Sequence, residues 1–587
     1  MNTRQNEVTL DEVEEMLVSI SRLLELKGES GFRVRAYANA ARILGGYGGD
    51  VIAMARRDEL RRIDGIGEAI AAKVSEFVKT GRLEYYDRLR DEFPPEIFQL
   101  FELEGLGAKK IKTLYDKLEV HSIPRLERAC HENKVAQLEG FGAKTQDKLL
   151  QAIENWRRSV GKFRLGDVYA LAIELRDTLR GHPEVLLAEV AGSLRRMKEV
   201  VHDVDLVAAS PAPAEVIAAF VGHPSVDEVI ARGQTKASVR AEGGLQCDLR
   251  VVTLAEFPFT LAYFTGSKEH NVVLRGRAQK RGWSLNEYGF SQSNDESAQP
   301  QAPPEVGGER DIYRALDLDW VPPELRENRG EIEAAESGWL PRLVELENLR
   351  GTFHNHTNSS DGKATLREMV EAARELGLEY LGIADHSKSS VQANGLDERR
   401  LLAQLEEIDA LNRELDGAFR VFSGTECDIL RDGGLDFDDD ILGRLDYVVA
   451  SVHSSFTLDE ARMTKRLIKA IESPHITMLG HPCGRLLLTR EPYPVNLQAV
   501  IEAAAETGTI IELNANPRRL DMDWRWWRSA RELGVRCAIN PDAHRTEGLQ
   551  HLFFGVGAAR KGWLRREDVI NCLPADQVGD ALNAKKS

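Results

Sequence analysis

After Arg350 the chain settles into seven short apolar runs separated by amphipathic stretches, and this rhythm constrains the fold more tightly than any other feature. The runs are GTFHNHTNSSDG, YLGIADHS, VFSGTECDIL, YVVASVHSSF, ITMLGHPCG, TIIELNAN and VRCAINPDAH. Strand-sized runs alternating with helix-sized segments imply a parallel sheet with helical crossovers, and seven units in roughly 240 residues suit a barrel-like closure. In that arrangement the C-terminal strand ends converge on one rim. Six of the seven runs supply histidine or acid there: His354, His356, Asp361, His386, Glu426, His453, His481, Asp542 and His544. One histidine after a strand is ordinarily structural; nine donors in equivalent places are not. Imidazole mixed with carboxylate favours zinc, manganese or iron, as a cluster rather than a single ion. His475 and His551 lack the placement and read as structural.

Residues 9–160 read as helix throughout, with apolar positions three and four apart, as in Val13, Met16, Leu17, Ile20, Leu23 and Leu24. Three breaks resemble one another: IDGIGEAIAAKV from Ile63, LEGLGAKKIKTL from Leu103 and LEGFGAKTQDKL from Leu138. Each sets a glycine pair (Gly65 and Gly67, Gly105 and Gly107, Gly140 and Gly142) before a lysine-bearing helix. The glycines permit a tight turn and leave the next helix's first N–H groups open to an anion. Such a grip positions a nucleic-acid backbone without reading bases. These segments resemble helix-hairpin-helix DNA-binding motifs. Lys73 stands where the resemblance to the small domain of DNA polymerase beta places its Schiff-base lysine, which attacks an abasic sugar when desolvated. A solvated surface lysine is the equal alternative. Arg33, Arg35 and Tyr37 line the same pocket in that reading, but Ala69 replaces a lysine that accompanies the nucleophile in that family, which weighs against lyase activity.

Between these regions lies AGSLRRMKEVVHDVDLVA, residues 191–208. On a strand, Asp203 and Asp205 project from one face, and the Gly192-Ser193 turn upstream offers N–H groups and a hydroxyl to phosphate, with Arg195 or Arg196 adding charge. Alone, a D-x-D strand is more often solvent-facing alternation. The run LQCDLRVV adds Asp248, with Arg250 on its face. Three convergent carboxylates holding two metals are what phosphoryl transfer uses. Gly192-Ser193 with Arg196, Asp203-x-Asp205, Asp248, Tyr263-Phe264-Thr265-Gly266-Ser267, Asn271, Arg275 and Asn286-Glu287-Tyr288 resemble, in order and spacing, the nucleotidyltransferase core of family X DNA polymerases. The resemblance covers roughly residues 10–320. It implies that Asp203, Asp205 and Asp248 are catalytic and bind Mg2+ or Mn2+, and that Gly192, Ser193 and Arg196 hold the triphosphate. It also implies that Tyr263, Phe264 and Gly266 shape the sugar pocket, and that Asn271 and Arg275 meet the nascent pair and template. The aromatic pair suits exclusion of a 2'-hydroxyl. Lys268-Glu269-His270 departs from the family pattern.

The region from residue 350 to about 575 resembles the PHP (polymerase and histidinol phosphatase) domain, on the nine donors named above. The resemblance groups His354, His356, Glu426 and Asp542 on one metal, Glu426, His453 and His481 on a second, and Asp361, His386 and His544 on a third, with Glu426 bridging. The ions implied are Mn2+, Zn2+ or Fe, three in number. Such a site activates water near neutral pH and clamps a phosphate ester in line. Arg485, Arg518 and Arg545 lie near its motifs and read equally as phosphate contacts or surface residues.

Formal net charge is -17, but residues 1–290 are almost balanced and the acidity lies in the C-terminal half, so overall charge does not exclude a DNA partner. Six scattered cysteines argue against disulfides and cysteine zinc knuckles. No 18-residue apolar run and no signal-peptide pattern occur, so the expectation is a cytoplasmic monomer without membrane contact, nucleoid-associated when on DNA. The expected fold is multidomain: an all-α helix-hairpin-helix N-terminal region, an α+β nucleotidyltransferase palm with a thumb/finger subdomain, and a C-terminal α/β distorted (β/α)7 PHP barrel. The divisions are 1–90 for a helical small domain, 91–160 for a second hairpin subdomain, and 161–260 for the palm. They continue with 261–320 for nascent-pair binding, 321–349 as linker, 350–575 for the PHP domain and 576–587 as tail; 291–308 reads as an exposed loop. The implied function is template-directed gap filling from gapped or primer-template DNA and dNTPs, with 3'-5' exonuclease or other 3'-end processing. The alternatives are a small-molecule phosphomonoesterase in the barrel half, or a non-catalytic binder of DNA ends.

Overall fold

The computed structural model describes every residue except 1–7, 9, 46, 48, 49, 104, 293–301, 303, 584, 586 and 587, so most of the expected loop at 291–308 lies outside the described residues. The chain forms two compact units, Met1–Val160 and Gly161–Ser587.

The first unit is helical among its described residues. The helix Leu10–Lys27 buries Val13, Leu17, Ile20 and Leu24 against Ala40, Leu44, Leu60 and Val74, as its three-four spacing requires. A second core gathers Ile97, Leu100, Ile111, Leu114, Leu126 and Ile153.

The second unit opens with a five-stranded sheet in the order Leu187–Val190, Asp203–Ala209, Gln246–Val252, Lys236–Ala241, Val226–Arg232. Asp203–Ala209 and Gln246–Val252 run parallel; the other pairs are antiparallel. Val204, Leu206, Cys247 and Leu249 pack against Val168, Leu175, Val216 and Phe220 of two helices. Because side chains alternate along a strand, burying that face turns Asp203, Asp205 and Asp248 to the other. The helices Phe257–Thr265, Lys268–Lys280, Glu309–Ala315 and Glu331–Ser337 follow.

From Gly351 onward seven strands lie side by side in sequence order, every adjacent pair parallel. The ends of this sheet meet: Phe353 N–H donates to Asn540 Oδ1 at 3.2 Å, and Asn355 bridges Ala543. The result is a nearly closed barrel. Aromatic rings fill it, Phe353, Tyr380, Phe422 and Tyr447 among them. Gly382 makes room for these rings, since a Cβ there would lie 2.6 Å from Tyr447 Oη. The stretch expected as a tail from 576 instead forms the helix Ala575–Asn583, whose Val578 and Leu582 join this cluster. Two buried apolar residues four apart are enough to anchor it. All six cysteines are free and buried. No described helix is long and apolar enough to cross a membrane.

Candidate functional site

Asp205 stands opposite Asp248 in the parallel pair, with Asp203 two residues before it on the same face. Burial and the two neighbouring carboxylates push the Asp205 carboxyl up to about 7; burial and Asp248 raise Asp203 as well. Gln246 Nε2 donates to Asp248 Oδ2 at 3.0 Å, while the buried Asp248 Oδ1 has no partner. Three crowded carboxylates with an orphaned oxygen suit divalent cations with oxygen ligands.

The Gly192-Ser193 stretch, expected as a turn, is the one-turn helix Gly192–Arg195. Gly192 has φ +64°, and a Cβ there would lie 2.3 Å from Asp205 Oδ2, so only glycine lets this segment rest on the acid. Ser193 follows it directly. Arg196 is engaged within the protein: Nε meets Glu327 Oε1 at 3.0 Å and Nη1 donates to the Thr265 carbonyl. Its neighbour Arg195 forms a two-pronged pair with Glu309, both distances 2.9 Å. Burial works against the Glu309 carboxylate, but Arg326 and Arg195 hold it well below the usual carboxylate range.

Tyr263 and Phe264 close the helix that ends before Gly266, their rings edge to face at 5.2 Å. The Arg250 guanidinium covers Phe264 at 4.3 Å. Asn271 Nδ2 donates to the Tyr263 carbonyl at 2.7 Å, and Asn271, Arg275, Tyr263 and Asn286 line one small cleft. Within the Lys268-Glu269-His270 departure only the last residue has a packing reason: His270 is wholly buried, bonded to Glu331 at 2.7 Å and to Tyr313 Oη at 2.9 Å, while Lys268 and Glu269 are exposed.

At the barrel rim Glu426 is the hub. Its Oε1 lies 2.9 Å from His481 Nε2 and 3.2 Å from both His354 and His453 Nε2; its Oε2 lies 2.9 Å from His386 Nδ1 and 3.7 Å from His356 Nε2. Asp542 Oδ1 is 3.3 Å from His356 Nε2, and Asp361 Oδ1 is 3.4 Å from His544 Nε2. All nine expected donors are brought together. They form four overlapping sets: His356, Asp361, His386 and His544; His354, Glu426 and His481; His354, His356 and Asp542; and His386, Glu426 and His453. The partition differs from the expected one in pairing His481 with His354 and His386 with His453, in adding His356 to the Asp361 set, and in leaving Glu426 out of the set of His354, His356 and Asp542.

Three imidazoles are held alike. His354 Nδ1 donates to Glu512 at 2.9 Å, His453 Nδ1 to Asp428 Oδ1 at 2.9 Å, and His544 Nδ1 to the Asp542 carbonyl at 3.0 Å. Each bond fixes the ring orientation that turns Nε2 inward, and the neighbouring carboxylates hold all three imidazoles above the ordinary histidine range against their burial. Burial and the neighbouring His544 and His386 push His356 down to about 4, so it remains an unprotonated donor at neutral pH. Buried nitrogens without hydrogen-bond partners include His354 Nε2, both nitrogens of His356, His386 Nδ1 and His481 Nδ1. Orphaned imidazole nitrogens around buried carboxylates fit divalent metal. His354, His481 and Asp542 have φ of +50°, +25° and +51°. Each such backbone costs roughly 1–3 kcal/mol and is typical of functional sites.

Sequence reading missed Glu512 and Asp428, because both sit inside apolar runs rather than after them; E-L-N and E-C-D were the available signal. Of the three arginines, Arg485 fits neither of its readings. Arg485 is buried and tied to Glu199 at 3.2 Å and Asp523 at 2.8 Å, so it is not open to substrate. Arg518 is exposed and Arg545 half-buried. Arg519 takes the place at the site, with Nε 3.4 Å from Asp542 Oδ2 and a buried, unpartnered Nη1.

In the first unit Gly65, Gly105 and Gly140 have φ of +84°, +79° and +84° and close the same turn, the N–H of Ile66, Leu106 and Phe141 donating back to Ile63, Leu103 and Leu138. In the first two, an extended glycine then leads into an uncapped helix, Glu68–Thr80 or Ala108–Leu118. The third diverges: Gly142 is itself left-handed and begins its helix, so this copy repeats the turn but not the entry. Lys73 is half-buried, donates to the Ala69 carbonyl at 3.2 Å, and lies 4.7 Å from the Tyr85 ring, which stacks on Tyr37 and bonds Arg33.

Residues 4–83 match the helix-hairpin-helix domain family and 98–155 the SAM-like helix-hairpin-helix tandem. Residues 260–327 match the DNA polymerase beta thumb and 352–516 the PHP domain. The chain is 39% identical over 565 residues to a Bacillus subtilis protein named DNA polymerase/3'-5' exonuclease PolX, covering 96% of this chain and 97% of that one. It is 30% identical to a probable phosphatase of Thermoanaerobacter over 244 residues, 40% of this chain and 94% of the relative. A probable phosphatase of Caldanaerobacter subterraneus is 28% identical over 33% of this chain and 77% of its own length. Matched nearly end to end with such a relative, and containing hairpins, thumb and PHP barrel in one order, the chain belongs to the PolX family of family X DNA polymerases with a PHP domain.

Proposed function

We propose that this chain is a template-directed DNA polymerase whose barrel carries a 3'-5' exonuclease, together serving gap filling in repair. The observation that carries the first half is Asp205 standing opposite Asp248 beside Asp203, on the sheet face opposite the main core of that sheet. Asp203, Asp205 and Asp248 would hold Mg2+ or Mn2+; the nine rim donors would hold Mn2+, Zn2+ or Fe, three ions in all. Bound cations would supply charge neutralisation at the phosphate and a more acidic nucleophile. Gly192 and Ser193 present the triphosphate to the carboxylates, and Arg196, 3.2 Å from the Cβ position of Gly266, links that end to the sugar pocket. Tyr263 and Phe264 exclude a 2'-hydroxyl; Asn271 and Arg275 meet the nascent pair. The hairpins of Gly65 and Gly67, and of Gly105 and Gly107, hold DNA backbone, with Gly140 and Gly142 a weaker third grip.

In the barrel, Glu512 and Asp428 orient His354 and His453, and Arg519 meets a substrate phosphate beside Asp542. The relatives named as probable phosphatases favour a second reading, hydrolysis of a small phosphomonoester by the barrel. One gapped duplex separates the readings, incubated with and without dNTPs in manganese or magnesium, alongside a small phosphomonoester. Asp205→Ala should abolish extension and leave 3'-end removal; His356→Ala should do the reverse. Extension by Asp205→Ala at the wild-type rate would sink the polymerase assignment. Faster turnover of the small ester than of the oligonucleotide 3' end would favour the phosphatase reading.

A further inference from the structure

Lys561 closes the helix Leu552–Lys561, beyond the last barrel strand, yet its side chain ends among residues of the polymerase half. It is 1% exposed. A buried ammonium is tolerated only where its hydrogen bonds are met, and removing one partner of such a pair leaves an uncompensated charge. The Lys561 donors go to the Arg196 carbonyl at 3.1 Å, the Glu324 carbonyl at 3.4 Å and Glu327 Oε1 at 2.5 Å. The ring of Trp524 lies 4.7 Å from the ammonium.

That Glu327 oxygen is the one that also accepts from Arg196 Nε. The carboxylate therefore stands between two cations, one from the barrel half and one at the triphosphate end of the palm. The rest of this short segment is clasped from the same side. Met197 lies where a Cβ on Gly557 would come within 2.3 Å of it, and Glu199 is bound by the buried Arg485. Three residues of the barrel half, Gly557 and Lys561 on one helix and Arg485 in an earlier loop, thus flank 196–199, the stretch that begins three residues after Ser193.

We infer that Lys561 is a positioning residue for nucleotide addition: it holds Glu327, so that the carboxylate aims Arg196 without keeping it from an incoming triphosphate. Without the ammonium, Glu327 has Arg196 as its remaining partner cation. A dNTP must then compete with a buried ion pair that is no longer shared. The barrel in this way sets nucleotide affinity in the polymerase site while its own metal centre plays no part. The inference rests on the assignment of Arg196 to the triphosphate.

The test is steady-state dNTP incorporation by the full chain on one primer-template, with 3'-end removal from single-stranded oligonucleotide as the parallel readout. Lys561→Met should raise the dNTP KM about tenfold, with kcat and exonuclease rate within about twofold of wild type. Lys561→Arg should restore the KM. Lys561→Met/Glu327→Gln should bring it back to within about threefold, because the pull on Arg196 is gone. An unchanged KM in Lys561→Met, where Arg196→Ala does raise it, overturns the inference. So does a parallel fall of kcat and exonuclease rate, which marks general destabilisation. Should Lys561→Met fail to fold, Glu327→Gln alone decides: its KM should be at or below wild type, and a rise overturns the inference. If Arg196→Ala leaves KM unaltered, the assignment of Arg196 itself fails, and the inference falls with it.

Discussion

The palm brings three carboxylates to one sheet face with a single imidazole, exposed His202, beside Asp203, whereas the barrel rim surrounds three carboxylates with six imidazoles. The palm acids stand at the starts of two parallel strands and the rim donors at or beyond the ends of theirs, and the surroundings differ as well. Asp203, Asp205 and Asp248 remain partly accessible, and one side chain, Gln246, supports them. His354, His356 and Glu426 are at most 1% exposed, and Glu512, Asp428 and the Asp542 carbonyl fix the outer nitrogens of three rings. Oxygen ligands in an open cleft suit a hard ion that enters and leaves with each nucleotide. Nitrogen ligands at a largely buried rim, open at Asp361 and His544, suit a softer ion. The two donor sets thus differ in the character of the ion they favour.

The sharpest break of this contrast is removal of the hub. Glu426 is the carboxylate shared by five imidazoles, so Glu426→Gln should lower exonuclease rate by about a thousandfold or more while primer extension stays within about twofold. Parallel rates on the gapped duplex check it, and an equal fall in extension would show that the two centres are not independent. Next in size is the supporting layer. Glu512→Gln keeps the volume but weakens the grip on His354 Nδ1, and such outer partners are worth about 10- to 100-fold in metal affinity. Manganese titration of exonuclease activity should move by that factor. Gln246→Ala, which frees one oxygen of Asp248, should shift the magnesium dependence of extension less. A reversal of that order would place the more dependent centre in the palm.

Much of this was legible because local periodicity carries it. Alternation placed Asp203 and Asp205 on one face, and the ends of apolar runs delivered all nine rim donors. The glycine pairs foretold three turns of one geometry. What could not be read are pairings made across the fold. Arg195 meets Glu309 from 114 residues away, Arg196 meets Glu327 from 131, and Arg485 meets Glu199 from 286. No spacing rule links such residues, so Arg485 read equally as a phosphate contact or a surface residue when it is a buried structural cation. Glu512 failed to register for the opposite reason: it lies within an apolar run, where an acid looks like an interruption rather than an orienting group. The third hairpin and the C-terminal helix depended on one backbone angle at Gly142 and two buried side chains, signals too small for pattern to resolve.

The smallest expected effect concerns charge in the palm without metal. The folded Asp205 carboxyl, pushed up to about 7 by burial and by Asp203 and Asp248, lies above the value of about 4 that an unfolded aspartate shows. The folded chain thus binds this proton more tightly than the unfolded one. The stability it brings is fully present below pH of about 4 and is lost as pH rises through about 7. In chelator at pH 8, wild type therefore carries a buried charge beside two others, and Asp205→Asn should melt higher by on the order of 5 °C. At pH 5 the gap should close, because Asp205 in wild type is then already largely neutral. Added magnesium at pH 8 should narrow it from the other side by stabilising wild type alone. The barrel supplies the contrast: there Asp361 is drawn down to about 2, against its own burial, by His544, His356 and His386. Its charge is compensated chiefly by His544, whose imidazole the same pair holds up at about 9 against its own burial. Asp361→Asn in chelator at pH 8 should accordingly fail to raise the melting temperature, and a rise equal to that of Asp205→Asn would show that the rim, too, is held together chiefly by its ions.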